Sequence, residues 1–146
     1  MTTVTDILKS KVSPTIHTVD PAASVFDAVR LMAQQNIGAL VVVEHDQVVG
    51  MVTERDYARK VALRDRASRD TPVRDIMTSP VMYVHPLQTS EECMALMTEN
   101  RLRHLPVMDG GQLAGLISIG DLVKDIISEQ RFIIEQLEHY IAGQRA

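Results

Sequence analysis

The sequence predicts an α/β fold in which one β-α-β-β-α unit occurs twice in tandem and a long helix follows. The stretches GMVTERD, residues 50–56, and GLISIGD, residues 115–121, share Gly, two apolar residues, a hydroxyl residue, two variable residues and Asp. The interval that relates Gly50 to Gly115 also relates Val19 to Val84. A fixed period over most of a chain indicates a duplicated supersecondary unit. The spacing of apolar residues along each unit predicts which segments are strands and which are helices.

In the first unit, residues 15–19 are predicted to form a short strand because they are rich in β-branched residues. Ser24 is placed to cap a helix, whose apolar residues recur at helical spacing. These residues are Val25, Ala28, Val29 and Met32. The continuous apolar run 39–43 is typical of a strand buried on both faces. After a polar turn, residues 48–52 are predicted to return as the next strand.

The second unit repeats this order, with Asp109-Gly110-Gly111 as the hairpin turn between its last two strands. The helix that begins at Ile119 is predicted to continue to Ala142 and to end at Gly143. This helix is amphipathic and carries an apolar stripe along one side. The stripe is expected either to pack on the first unit of the same chain or to form a dimer contact. The predicted boundaries are 6–66 for the first unit, 75–128 for the second and 129–146 for the helical extension.

Composition limits the classes of function. The 146 residues carry a net charge of −4, which argues against a nucleic-acid partner because phosphate neutralisation drives that affinity. No apolar run is long enough to span a bilayer, and the first ten residues lack the pattern of a signal peptide. Cys93 is the single cysteine, so an internal disulfide is impossible and a cytoplasmic location is expected. Residues 53–74 are rich in arginine, which indicates either a solvated face or an anion site.

The hydroxyl residue and the Asp of each motif have two interpretations. Thr53 and Ser118 are placed to cap a helix, and Asp56 and Asp121 stand three residues later, as in a capping box. In that case the motifs are strand-to-helix junctions and nothing more. The alternative is that each Asp accepts hydrogen bonds from ribose hydroxyls beside a helix N-terminus suited to an anion. The pattern then suits a nucleoside phosphate in each unit.

These motifs resemble the CBS-domain pair, or Bateman module. The resemblance is carried by residues 37–42 with 50–56 and by residues 102–107 with 115–121, and it covers roughly residues 6 to 128. It implies two CBS units related by a pseudo-twofold axis, dimerisation, and two clefts that bind adenine nucleotides. AMP is the expected ligand, with ADP, ATP and NAD as alternatives.

The resemblance also implies roles for individual residues. Asp56 and Asp121 are expected to bind ribose, and Thr53 and Ser118 to bind ribose or phosphate. Residues expected to contact the base are Thr18, Val19, Ile37, Ala39, Tyr83, Val84 and Leu105. Gly38 and Pro106 are expected to belong to the same nucleotide-binding sites. Arg103 and His104 are expected to approach phosphate.

The two repeats differ in charge. Arg103 and His104 correspond to Gly38 and Ala39, and Arg55 corresponds to Gly120. One arrangement that follows is that Arg55 and Arg103 converge on phosphate between two clefts of unequal affinity.

Catalysis has little support in the sequence, which has no nucleophile elbow, dinucleotide-binding glycine motif or phosphate-binding loop. The five histidines show no metal-binding spacing, so no metal site is expected. The sequence therefore predicts a stand-alone regulatory module that senses adenine nucleotides, forms a homodimer and acts on an unidentified protein, without a nucleic-acid or membrane partner. The alternatives are a structural dimerisation module with unoccupied clefts and a small nucleotide-acting enzyme.

Overall fold

The computed structural model describes residues 1–11 and 15–145, with side chains described through residue 142. The helices and strands of this part, in chain order, are α1 Val4–Ser10, β1 Thr18–Val19, α2 Val25–Gln35, β2 Ala39–Glu44, β3 Gln47–Thr53, α3 Glu54–Lys60, α4 Ser90–Asn100, β4 His104–Asp109, β5 Gln112–Ser118 and α5 Ile119–Arg145. The described residues divide into two compact units. Residues 15–83 with 110–113 form the first-repeat unit, and residues 1–11, 84–109 and 114–145 form the second-repeat unit.

The first-repeat unit is built on a three-stranded sheet of order β1-β2-β3. Thr18 pairs in parallel with Val41, and Ala39 pairs antiparallel with Thr53. The first four residues of β2 are all buried, which confirms the strand predicted to be covered on both faces. The core residues of this unit are Val25, Ala28, Met32, Leu40, Val42, Val52, Val61, Val73 and Ile76.

The second-repeat unit has the same plan with less regular pairing. Val84 forms a parallel bridge with Val107, as Val19 does with Val42 one interval earlier. The turn between β4 and β5 contains Gly110 and Gly111 with φ values of 58° and 82°, and this confirms the predicted hairpin, since two-residue turns of this kind need positive φ at both positions. The core residues are Val4, Ile7, Val84, Cys93, Met97, Leu105, Val107, Ile117 and Leu122.

The segment that precedes each repeat packs on the other repeat's unit. The Val4 amide donates to the Gln88 carbonyl at 2.8 Å, and the Val73 amide donates to the Ala23 carbonyl at 2.8 Å. We call the segment before the first strand of each repeat its leading segment. Val4 and Val73 occupy equivalent positions in the two leading segments, and Gln88 and Ala23 occupy equivalent positions in the two repeats. Helix α1 therefore completes the core of the second-repeat unit, and the 3-10 turn Val73–Asp75 completes that of the first. The sequence boundaries 6–66, 75–128 and 129–146 stay a prediction, because the compact units combine these segments differently.

The first residue of each motif must be glycine, because a side chain from elsewhere in the same unit packs directly against its Cα atom. A Cβ atom on Gly50 would lie 2.6 Å from Met77 Sδ, and one on Gly115 would lie 2.6 Å from Leu8 Cδ2. Met77 and Leu8 occupy the same position in the two leading segments, each at the end of the Asp-Ile-apolar pattern. The repeated glycine is thus a contact point for the segment that completes each unit.

Helix α5 spans 27 residues and continues through Gly143 to Arg145, so the predicted end at Gly143 is wrong. A glycine inside a helix costs only about 1 kcal/mol relative to alanine, which is too little to end it by itself. Leu122 is fully buried, whereas every residue from 126 to 142 is exposed. Among the described residues, no helix is both long and apolar enough to cross a membrane.

Candidate functional site

The first motif forms the junction between β3 and α3. The Asp56 carboxylate accepts hydrogen bonds from the Thr53 amide at 3.0 Å and from the Thr53 hydroxyl at 3.1 Å, both through Oδ2. The Asp56 amide in turn donates to Thr53 Oγ1 at 3.1 Å. These reciprocal bonds make a capping box, as the spacing of Thr53 and Asp56 predicts, and they satisfy backbone groups that a helix start leaves unpaired.

The second motif forms the matching junction between β5 and α5. The Ser118 amide donates to Asp121 Oδ2 at 2.8 Å, and the Asp121 amide donates to Ser118 Oγ at 3.2 Å. The Ile119 amide donates to the Arg103 carbonyl at 2.8 Å, as the Glu54 amide donates to the Gly38 carbonyl at 3.1 Å in the first-repeat unit. Each motif is therefore tied to the strand that opens its own β-hairpin.

A lysine contacts each carboxylate. Lys60 Nζ lies 3.2 Å from Asp56 Oδ1 and donates to the Ile76 carbonyl at 2.9 Å. Lys11 Nζ lies 3.1 Å from Asp121 Oδ2 and donates to the Leu116 carbonyl at 2.7 Å. The i,i+4 spacing of Asp56 and Lys60 is a signal that the sequence carried. Lys11 lies before the first strand of the first repeat and Asp121 lies near the end of the second repeat, so no local pattern indicates that pair.

The two carboxylates have matching sets of partners. Asp56 accepts from the Thr53 amide, the Thr53 hydroxyl and Lys60. Asp121 accepts from the Ser118 amide and from Lys11, and the Ser118 side chain also bonds to this carboxylate. An ionised carboxylate has about four lone-pair positions, so each of the two retains room for a further donor.

Both side chains are shielded without being closed off. The exposed fraction is 13% for Asp56 and 18% for Asp121. Asp6 forms the same capping box with Thr3 at 3.0 and 3.1 Å, but it is exposed. Capping geometry alone consequently does not mark a ligand site. The shielding and the lysine contact distinguish the two motif carboxylates.

Burial and hydrogen bonding act in opposite directions on Asp121. Burial raises the pKa of Asp121, but the hydrogen bond from the Ser118 amide and the hydrogen bond and charge of Lys11 outweigh it and hold the pKa below 3.8. The carboxylate is therefore ionised at neutral pH. An ionised carboxylate accepts hydrogen bonds that are about twice as strong as those between neutral groups.

His104 is half-buried at the start of β4, near the same carboxylate. Burial lowers the pKa of His104 from its ordinary value of 6.5, and the charges of Lys11 and Arg103 lower it further, against the opposing charge of Asp121. At neutral pH the imidazole is therefore neutral. Arg103 is exposed and supplies the charge of this basic pair.

The residues predicted to contact a base, together with Gly38 and Pro106, differ in accessibility. The buried ones are Ala39, Val84, Leu105 and Pro106. Val84 and Leu105 belong to the core of the second-repeat unit, so their side chains are not accessible to a ligand. The half-buried ones are Val19, Ile37 and Gly38, and the exposed ones are Thr18 and Tyr83.

The structure gathers part of the predicted set within each unit. In the first-repeat unit, Gly38 and Ala39 lie against Thr53 and α3 through backbone bonds, and Arg55 is exposed on the first turn of that helix. Convergence of Arg55 and Arg103 stays a prediction. Among the residues described here, no group of three or more His, Cys, Asp and Glu side chains could hold a metal ion.

Comparison with known proteins identifies the repeat. The CBS domain model matches residues 3–63 and 73–128. The chain is 41% identical over 152 residues to the mitochondrial CBS domain-containing protein CBSX3 of Arabidopsis thaliana, covering 97% of this chain and 73% of that protein. A solved CBS-domain protein from Burkholderia ambifaria MC40-6 superposes with a TM-score of 0.86 at 60% identity, over 88% of this chain and 96% of the other. The structure of CBSX2 in complex with AMP gives a TM-score of 0.74 at 26% identity, over 89% and 99% of the two chains.

Proposed function

Because the chain belongs to the CBS-domain family, with two such domains in tandem, we propose that it is a regulatory module that binds an adenine nucleotide, with AMP as the preferred ligand. The observation that carries the proposal is the Asp121 carboxylate, which is shielded, ionised at neutral pH and held in place by Ser118 and Lys11. The AMP complex of CBSX2 supports the ligand class. ADP, ATP and NAD share the same adenosine group and remain the alternatives.

We expect the carboxylate of the second motif to bind ribose. Two vicinal hydroxyl groups donate to a carboxylate that Ser118 and Lys11 already hold in place, so little side-chain entropy is lost when the sugar arrives. Asp56 performs the same role in the first repeat, with Thr53 beside it. We expect two nucleotide sites of unequal affinity. The Asp121 site is the tighter, because the second repeat carries Arg103 and His104 where the first has Gly38 and Ala39.

Phosphate recognition falls to the arginines. Arg103 is exposed beside the start of β4, and Arg55 is exposed in the first turn of α3. A guanidinium binds phosphate through two parallel hydrogen bonds. Because His104 is neutral at neutral pH, it would act toward phosphate as a hydrogen-bond donor rather than as a cation.

The base would lie between the end of the first strand and the start of the second strand of each repeat. The half-buried side chains of Val19 and Ile37 offer apolar contact, the exposed Thr18 lies in β1, and the exposed Tyr83 immediately precedes Val84. The half-buried Gly38 and the buried Ala39, Val84, Leu105 and Pro106 would lie beneath the base. These assignments rest on the family resemblance.

The consequence of binding would be a change in conformation that another protein reads. A ligand shifts such an equilibrium only by its difference in affinity for the two states. We propose that the chain acts as a homodimer in the cytoplasm, binds no nucleic acid and no membrane, and catalyses no reaction. Incubation with ATP or NAD followed by product analysis tests the last point, and turnover would favour a nucleotide-acting enzyme instead.

A structural dimerisation module is the second candidate. It is favoured by one observation, that both carboxylates have a helix cap and a lysine as partners. In that case the capping box is the whole purpose of each motif, and no nucleotide would raise the stability of the protein.

Calorimetric titration of the full chain with AMP decides between these functions. We expect Asp121→Asn to weaken AMP binding at the tighter site by at least about 30-fold, because charge-assisted hydrogen bonds contribute about 1.5–3 kcal/mol each. Asp6→Asn is the matched control, since it alters an equivalent capping box. It should leave AMP affinity unchanged. Equal affinities for the two variants would overturn the role of Asp121, and no AMP binding by the parent protein would overturn the function itself.

A further inference from the structure

Lys11 brings a positive charge to the second motif from outside both motifs. It follows α1, and its Nζ lies 3.1 Å from Asp121 Oδ2 and donates to the Leu116 carbonyl at 2.7 Å. An ammonium group has three N–H donors. Within residues 1–11 and 15–145, these two oxygens are the acceptors described for Lys11, so one donor is left for a ligand.

The leading segment that carries Lys11 is packed on the second-repeat unit. Ile7 is buried in the core of this unit, and Leu8 packs against Gly115, the first residue of the motif. A lysine on an ordered backbone loses less conformational entropy when it binds a ligand than one on a mobile terminus does. The fold therefore presents the Lys11 ammonium at a defined place beside Asp121.

The charged groups around His104 leave a net positive charge at this place. Burial is the main cause that lowers the pKa of His104; the charge of Asp121 raises this pKa, and the charges of Lys11 and Arg103 lower it. All three charges therefore lie within electrostatic range of one imidazole ring, which is itself neutral at neutral pH. Two cations and one carboxylate leave one positive charge without a balancing group.

This positive charge favours a phosphorylated ligand over a neutral one. A phosphate monoester carries a charge of about −1.5 to −2 at neutral pH, whereas the base and sugar of a nucleoside are uncharged. Lysine suits phosphate because its ammonium is a compact charge with rotatable donors. The Lys11 side chain is 27% exposed, so solvent and salt screen its charge less than that of the exposed Arg103.

We propose that Lys11 is a phosphate ligand of the nucleotide site at Asp121 and that it makes this site select AMP over adenosine. The inference rests on the proposed nucleotide binding and adds to it a ligand from the leading segment. In the complex, Asp121 accepts from the ribose hydroxyls. Lys11 keeps its bond to the Leu116 carbonyl, and its remaining donor binds the phosphate. Adenosine has no phosphate and gains nothing from this donor.

Calorimetric titration of the full chain with AMP and, separately, with adenosine tests the role of Lys11. We expect Lys11→Met to weaken AMP binding at the tighter site by at least about 10-fold and adenosine binding by less than about 3-fold, because a charge-assisted hydrogen bond to phosphate is lost. Lys11→Arg should keep most of the preference for AMP. Lys9→Met is the matched control, since Lys9 is an exposed lysine of the same leading segment. It should bind both ligands as the parent does.

The ratio of the two affinities separates a phosphate ligand from a structural residue. Equal losses for AMP and adenosine in Lys11→Met would show that Lys11 only holds Asp121 and α1 in place, and would overturn the inference. Unchanged AMP binding in Lys11→Met, or the same loss in Lys9→Met, would overturn it as well. If circular dichroism shows that Lys11→Met does not fold, Lys11→Gln, which still carries a donor for the Leu116 carbonyl, is titrated in its place.

The parent protein separates this inference from the function on which it rests. A parent that binds AMP no more tightly than adenosine would overturn the phosphate contact and leave nucleotide binding standing. A parent that binds neither ligand would overturn the proposed function, and the inference with it.

Discussion

Asp56 and Asp121 occupy the same position in the two repeats, and a lysine holds each carboxylate, yet the two lysines come from unrelated places. Lys60 lies one helical turn beyond Asp56, whereas Lys11 follows α1, at the opposite end of the chain from Asp121. The position equivalent to Lys60 in the second repeat is Asp125. The comparison teaches that a shielded carboxylate at this junction needs a cation, and that the fold supplies it by more than one route.

The two routes have different structural consequences. The Lys60 contact is local to α3, so it stabilises a single helix start. The Lys11 contact joins the segment after α1 to the start of α5 and also to the Leu116 carbonyl. In the second-repeat unit, the charge that balances the site therefore also anchors the leading segment. A ligand that competes for Asp121 would act on that anchor.

Removing each lysine should show the largest difference in stability between the two sites. Lys11→Met is expected to lower the free energy of unfolding by about 2 kcal/mol, because it leaves a shielded carboxylate and a carbonyl without their donor. Lys60→Met should cost less than about 1 kcal/mol, since its side chain is 41% exposed and solvent screens the pair. Urea denaturation measures both values. Equal losses for the two variants would show that the Lys11 contact is no more than a surface ion pair.

Replacing Arg103, which has no basic counterpart in the first repeat, tests whether this residue contacts the phosphate of a bound nucleotide. Arg103→Ala should weaken AMP binding about 10-fold and leave adenosine binding nearly unchanged, because a charge-assisted contact to phosphate is lost. Arg131→Ala, which removes a charge from the exposed side of α5, serves as the control. The measurement is calorimetric titration with both ligands. Equal losses for AMP and adenosine would show that Arg103 does not contact the phosphate.

Much of the fold was predictable because its signals are local. Ser24 caps α2 through the Asp27 amide, and Gly110 and Gly111 form the hairpin turn, each as the sequence indicated. A cap or a tight turn is set by residues within four positions of one another. The end of α5 was less predictable, since a single glycine did not stop the helix at 143.

The candidate site was predictable in part for the same reason. The pairing of Thr53 with Asp56 is local, and the sequence indicated it. The exchange of leading segments was not visible, because Asp6-Ile7-Leu8 and Asp75-Ile76-Met77 have the same pattern and either pair of apolar residues suits either core. The contact of Lys11 with Asp121 depends on that exchange, so it was missed with it.

Placing a lysine at position 125 in a variant that lacks Lys11 tests whether Asp121 needs only a nearby positive charge or Lys11 itself. Asp125→Lys places a lysine four residues after Asp121, as Lys60 stands after Asp56. It also removes Asp125 Oδ2, a buried oxygen without a hydrogen-bond partner in the described structure. In the Lys11→Met background, this change should restore about 1 kcal/mol of stability. Double-mutant analysis by urea denaturation gives the coupling. No recovery would mean that the anchoring of the leading segment, and not the charge, is what Lys11 supplies.

The smallest expected effect concerns His104, whose counterpart in the first repeat is Ala39. Burial lowers the pKa of His104 in the folded state below 6.5, so the unfolded chain binds its proton first as pH falls. The contribution of His104 to stability is therefore fully present above pH 6.5 and is lost as pH falls through its folded pKa. His104→Ala gives the second repeat the residue that the first has at this position. It should remove the part of the fall in unfolding free energy at low pH that His104 causes, independently of any change in stability at neutral pH. Unfolding free energies at pH 7.5 and 5.5 measure the change, and nuclear magnetic resonance titration of the imidazole gives its folded pKa directly. A folded pKa at or above 6.5 would show that Asp121 outweighs burial, and that the second repeat holds a charged histidine where the first has a methyl group.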